Sequence, residues 1–185
     1  MRIDGHLPAE SVTFSGGRRA RRKSPTVIRP SHMHPRIYTD TSVIGGYFDS
    51  EFEAASQALF RHFSAGKATL VISDITLLEL APAPERIRQL VDALPSEYVE
   101  EVRLTSEAEE LADSYISSGV IGASSRADAE HIATATIHRV TVLVSWNLKH
   151  IVNLERIHGY NSVNLRLGYP MIEIRTPIEV IEHES

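Results

Sequence analysis

From residue 35 onward, short apolar runs alternate with stretches whose apolar residues recur at helical spacing. Residues 36–39 form the first strand, and residues 42–47 a short helix in which Gly45 and Gly46 permit close backbone approach. Ala54, Ala55, Ala58, Leu59 and Phe63 line one face of a helix over 53–63, with Gly66 as its stop. A compact apolar strand at 68–72 follows. Ser73 or Asp74 caps the next helix, which carries Leu77, Leu78 and Glu79; Pro82 and Pro84 then end it and open another that runs to residue 94. Residues 99–104 give a third strand, and 106–118 a helix with a capping-box start at Ser106 and Glu109 and Gly119 as its stop. A helix at 125–138, a strand at 141–145, a short helix capped by Asn147, a helix at 154–167 and a strand at 171–175 complete the pattern. Strands separated by helices need long crossovers, so the pattern predicts an α/β fold with a largely parallel sheet.

Composition narrows the class. The chain has 185 residues and 42% hydrophobic content, enough for one well-buried domain and short for two. It has no Cys, which removes a disulfide scaffold, a thiolate nucleophile and a Cys-type zinc site together. No apolar run approaches the roughly 18 residues that span a bilayer, and the Arg-rich start lacks the apolar stretch of a secretory signal, so a cytoplasmic protein is expected. The net charge of -5 conceals two unlike parts: residues 1–36 hold 8 Lys/Arg and 2 Asp/Glu, and the remainder 11 and 22. Residues 1–34 therefore read as a basic, disordered extension, with five cationic side chains between Arg18 and Lys23, and residues 35–185 as the folded domain. The extension reads either as a tail that touches RNA phosphates or as a leader ahead of a start at Met33.

The candidate chemistry lies where strands hand over to helices. Asp40 follows the first strand, Glu79 sits on the helix after the second, Asp128 opens the helix before the fourth, and Asn147 follows that strand. Acids at the carboxyl edge of an open α/β sheet occupy the place where such folds bind ligands. Gathered oxygen donors suit Mg²⁺ or Mn²⁺, which relieve charge on a phosphoryl transition state and activate water. Asp40 and Asp128 are the expected direct ligands, while the longer Glu79 side chain holds a water or acts as general base. Each acid also has a plainer reading: Asp40 and Asp128 as helix-start acids, Glu79 as a solvated helix acid. Asp74 reads as a cap, and Asp49, Glu51 and Glu53 as a solvated face. His131, three residues beyond Asp128, reads as a core histidine or as a group that orients a site residue. Trp146 reads as a rim anchor or a surface for stacking a base. No GxxxxGK, GxGxxG or HExxH motif is present.

Five segments together carry a resemblance: YTDTSVIGGYFD, the acid of LLEL, RADAEHIATA, LVSWNLKHIVN and ERIHGYNSVNLRLGYPMIEIRTP. In this order the chain resembles a PIN-domain protein of the VapC-like toxin group over nearly all of residues 35–176. The resemblance implies a PIN-like three-layer α/β/α sandwich with a mainly parallel five-stranded sheet, and a metal-dependent endoribonuclease centre at its carboxyl edge. It also implies a small antitoxin partner and a homodimer. The expected catalytic set is Asp40, Glu79, Asp128 and Asn147, with Asp40, Asp128 and Glu79 toward the metal and Thr41, Ser42 and Ser145 toward the substrate; Thr41 or Ser42 reads as a phosphate site or equally as a helix cap alone. Many members carry Asp where this chain has Asn147, so one charge is missing from the expected set. The alternative is therefore a PIN fold that has lost catalysis and serves as an RNA- or protein-binding module. A structure-specific DNA nuclease is a third reading of the same centre.

Overall fold

A computed structural model of the chain describes residues 34–182. Residues 1–33, nearly all of the expected basic extension, lie outside the described residues. The described elements are strands β1 (Arg36–Thr39), β2 (Thr69–Ser73), β3 (Val99–Val102), β4 (Val142–Val144) and β5 (Ile174–Arg175). Between and after them run helices α1 (Thr41–Gly46), α2 (Glu53–Ser64), α3 (Asp74–Leu80), α4 (Glu85–Asp92), α5 (Ser106–Ser117), α6 (Arg126–Ile137), α7 (Leu154–Leu167) and α8 (Pro177–Glu182).

The strands form one sheet in the order β3-β2-β1-β4-β5, and every pairing is parallel. A parallel sheet needs cover on both faces, which explains why its inner strands read as unbroken apolar runs. Alternate residues point opposite ways, and the packing follows that period. Tyr38, Val71 and Leu143 face one layer with Leu111, Tyr115, Ile132 and Tyr160. Ile37, Leu70, Ile72, Val142 and Val144 face the other, with Ile44, Leu59 and Phe63. Leu59 and Phe63 are fully buried, each contributing about 2 kcal/mol of apolar burial. The fold is thus the expected three-layer arrangement, with a sheet that is wholly rather than mainly parallel.

Several local expectations shift. The α5 cap is Thr105, whose side chain accepts from Ala108 N–H, in place of Ser106. Asn147 opens a turn and no helix, and β5 is only two residues long. The helix α8 was not anticipated. Its start is a reciprocal cap: Glu179 Oε2 accepts from the Thr176 N–H and hydroxyl at 2.8 Å, and Thr176 Oγ1 accepts from Glu179 N–H at 3.4 Å. Val180 and Ile181 then pack on the cluster that contains Leu59 and Phe63. Among the described residues, no helix is long and apolar enough to cross a membrane.

The strand order locates the site. From β1 the chain steps outward through β2 to β3, then returns to the other side of β1 to form β4. Connections leaving β1 and β4 therefore diverge, and a crevice opens at the carboxyl ends of these two strands. Asp40 directly follows β1, and Ser145 directly follows β4.

Candidate active site

Asp40, Glu79, Asp128 and Asn147 converge on a cleft of about 550 Å³ at that crevice, with Asp49, His131, Phe52 and Trp146 also on its walls. Asp40 is 5% exposed. Its Oδ1 accepts from the Ser42 hydroxyl at 2.6 Å and its Oδ2 from the Ser145 hydroxyl at 2.7 Å. Both hydroxyls are held in turn by backbone: Ser42 Oγ accepts from Trp146 N–H and Ser145 Oγ from Asn147 N–H, each at 2.9 Å. Burial pushes the Asp40 carboxyl above its usual range, and the two serine hydrogen bonds oppose that shift. The strand-end segments after β1 and β4 are thereby stitched together through one carboxylate.

Glu79 is tethered by a longer chain of donors. Its Oε2 accepts from the Thr41 hydroxyl at 2.7 Å and from His131 Nε2 at 3.3 Å. The His131 hydrogen bond is the largest influence holding Glu79 below the usual carboxylate range, against partial burial. His131 is 2% exposed, and its Nδ1 lies 2.7 Å from the Tyr38 hydroxyl, which lies 2.7 Å from Ser73 Oγ. Burial pushes Tyr38 well above its usual range, so it keeps its proton and serves as a donor. An ionised Glu79 can only accept, so His131 Nε2–H donates to it; with a neutral imidazole, Nδ1 then accepts from Tyr38 and Tyr38 accepts from Ser73.

Among the described residues, Asp128 has a single side-chain hydrogen-bond partner. Asn147 Nδ2 donates to its Oδ1 at 2.8 Å, while Asn147 Oδ1 accepts from His150 N–H at 3.0 Å. Both ends of the amide are engaged. Burial pushes Asp128 above its usual range, with His150 and then His131 opposing. An acid at position 147 would offer Asp128 no hydrogen and would add a second negative charge, so the amide does what a carboxylate there cannot.

The family model for the PIN domain matches residues 37–149, more than half of the chain, with Asp40, Glu79, Asp128 and Asn147 all inside it. The chain belongs to the PIN-domain family. PIN-domain proteins are nucleases that in general work with divalent metals. No curated protein matches the chain. Solved structures similar to this PIN domain include the toxin–antitoxin complex VapBC2 from Rickettsia felis bound to a promoter DNA fragment, at 14% identity and TM-score 0.48 over 76% of this chain and 98% of that one. VapC20 of Mycobacterium tuberculosis, a toxin that cleaves the sarcin-ricin loop, is similar at 15% identity and TM-score 0.47 over 62% and 92%. DNA-bound VapBC from Salmonella typhimurium is similar at 19% and 0.48 over 77% and 98%. The family assignment rests on the family match and not on these likenesses.

The donors of this PIN domain suit a hard cation, because the metal-ligating groups that line the cleft are carboxylate, hydroxyl and amide oxygens with one imidazole. Asp40 and Asp128 are both pushed up by burial, a cost that a cation would relieve. Among the described residues, no three His, Asp or Glu side chains stand close enough to hold an ion unaided. The oxygen donors fit a divalent ion held through one or two carboxylates, with water as its other ligands.

All four expected catalytic side chains reach the PIN cleft, as do Thr41 and Ser42. Ser145 lies beneath it, fully buried. The hydroxyls of Thr41, Ser42 and Ser145, expected on the substrate side, donate to the Glu79 and Asp40 carboxylates. Asp74, expected as a cap, is instead the first residue of α3, whose cap is Ser73 accepting from Thr76 N–H; Asp74 accepts from Ile75 and Leu104 N–H and takes no part in the cleft. Two groups gain weight. Asp49, expected on a solvated face, lines the cleft, and no local signal separates it from its acidic neighbours. Tyr38 was read only as part of a strand, and its role depends on His131, which chain position alone leaves undecided.

Proposed function

We propose that this PIN domain is a metal-dependent endoribonuclease that hydrolyses RNA phosphodiester bonds, acting as the toxin of a toxin–antitoxin pair. The observation that carries the proposal is the convergence of Asp40, Glu79, Asp128 and Asn147 on one cleft at the sheet's switch point, inside the matched family segment. Asp40 and Asp128 would hold Mg²⁺ or Mn²⁺, with Glu79 reaching the same cleft. The bound ion supplies charge relief at the phosphoryl group and a more acidic water. Glu79 takes the proton of the attacking water through Oε1, since both of its hydrogen bonds fall on Oε2. His131 and Thr41 fix the direction from which that oxygen points. Asn147 holds Asp128 in place before any ion arrives.

The toxin role, the small antitoxin partner and the homodimer rest on the sequence resemblance, and a cytoplasmic setting goes with that role. Residues 1–34 belong to the proposal as a basic extension ahead of a nuclease domain at 35–185. The second reading, a PIN fold acting as a binding module for RNA or protein, draws on Asn147 and on the lack of a ready-made three-ligand group among the described residues.

One experiment separates them. A labelled mixed RNA pool is incubated with the purified chain in Mg²⁺ or Mn²⁺, in EDTA, and with Asp40→Asn alongside. Cutting that needs the metal and is lost in Asp40→Asn is the expected result. Equal inertness of both chains, with Mn²⁺ still bound by the wild type, would remove the nuclease reading and leave the binding module.

A further inference from the structure

The cleft has an aromatic wall. Phe52 and Trp146 both line it, with ring centroids 4.7 Å apart and planes inclined by 33°. Trp146 is pinned at three points. Its backbone N–H donates to Ser42 Oγ at 2.9 Å, and its indole Nε1–H donates to the buried Ser56 Oγ at 2.9 Å. The same edge of the ring lies on Gly46, where a Cβ would meet Nε1 and Ser56 Oγ at 2.9 Å. Ser42 is also the hydroxyl that holds Asp40 Oδ1 at 2.6 Å, so ring and carboxylate share one anchor. The indole's only donor is spent, and what remains on offer is π-surface.

The charge around it narrows what that surface serves. Asp40, Asp49, Glu79 and Asp128 line the cleft, and among its described lining residues there is no Lys or Arg. A polyanionic strand gains no counterion release from such walls. Its affinity there must come from a bound cation and from uncharged contact, and a base stacked on an aromatic ring is an uncharged contact that every nucleotide can make. A rim-anchor role accounts for Trp146, which packs against the core cluster on that face. It does not account for Phe52, which lies outside that cluster and against the indole on the cleft wall.

We propose that Phe52 and Trp146 form a stacking surface for one nucleobase of a single-stranded RNA, seated beside Asp40. The proposal rests on the ribonuclease reading above and adds the part of the substrate that the carboxylates cannot hold. Because the ring is fixed before binding, little ordering accompanies the contact. Because no donor is left, the stack tolerates any base.

Trp146 is the chain's single tryptophan, so its emission reports on the site directly. The full chain is titrated in EDTA, and again in Ca²⁺, with a short single-stranded RNA and with an oligomer of equal length that lacks bases. Saturable quenching by the RNA is expected, with binding of the baseless oligomer about tenfold weaker or more. Phe52→Leu should weaken RNA binding about tenfold while Phe52→Tyr keeps it. If Phe52→Leu fails to fold, the comparison of the two oligomers on the wild type decides alone. Equal binding of both oligomers, saturable binding without a change in emission, or no binding in either solution overturns the proposal. Metal-dependent cutting with base-independent binding would remove the stacking surface and keep the ribonuclease. Base-dependent quenching by a chain that cuts nothing would do the reverse.

Discussion

At Asp40 a carboxylate 5% exposed is served by two hydroxyl donors. Hydroxyl hydrogen bonds lower a buried carboxyl's range but do not replace lost hydration, so burial wins and the folded-state value is raised. The sign follows: an acid raised on folding stabilises the fold below its ordinary range, and that contribution disappears as pH rises through the folded value. Asp128 behaves in the same sense, whereas Glu79, lowered mainly by His131, contributes stability that is lost as pH falls. Asp40→Asn in EDTA is therefore expected to raise the melting temperature at pH 7–8 by about 2–4 °C, corresponding to about 1 kcal/mol. The gain should shrink toward pH 4, where the wild-type carboxyl itself becomes neutral. A variant that melts lower than the wild type at neutral pH would show that the carboxylate is not strained there. The same residue was legible in the sequence as a site acid, because an acid between a strand and a helix is a local pattern. Its two serine partners were legible only as candidates, since Ser145 is over a hundred positions away along the chain.

At the scale of elements, helices such as α2 and α5 were readable because their stops are local. Gly66 at φ +66° and Gly119 at φ +73° follow them in left-handed backbone, which glycine adopts without Cβ strain. The helix α8 escaped because six residues are too few to display a periodic face. Its only local mark is the Thr176-Pro177-Ile178-Glu179 start, with Pro in the first helical position and the acid three residues beyond the cap. Thr176→Val removes the reciprocal cap and should cost about 1 kcal/mol, read as a drop of a few degrees in a thermal melt. An unchanged melt would mean that packing of Val180 and Ile181 alone holds the helix. The turn after β4 shows the opposite failure. Asn147 has the chemistry of a cap, but its amide is drawn into bonds to Asp128 and to the His150 N–H, and no helix follows.

At the scale of the whole molecule, the site exists because the chain reverses its order at β1 and β4, and acids from three separate connections meet there. Such a gathering should respond to a cation as a unit. Millimolar Mn²⁺ is expected to raise the wild-type melting temperature, by the equivalent of about 2.7 kcal/mol if the ion is present at a hundredfold excess over its dissociation constant. Asn147→Asp should melt lower than the wild type in EDTA, because Asp128 loses a donor and gains a like charge, and should then gain more from Mn²⁺. Melting curves of both chains that ignore Mn²⁺ would count against a metal site. The sequence by itself determined the alternation of strands and helices, the parallel sheet and the three acids, since each depends on residues near one another in the chain. Tertiary structure alone decided that Ser145 holds Asp40, that Tyr38 and His131 tether Glu79, that Asn147 serves Asp128, and that Phe52 lies against Trp146. These are contacts between distant segments, and residue type does not say which neighbour a hydroxyl, an imidazole or a ring will meet until packing brings the segments together.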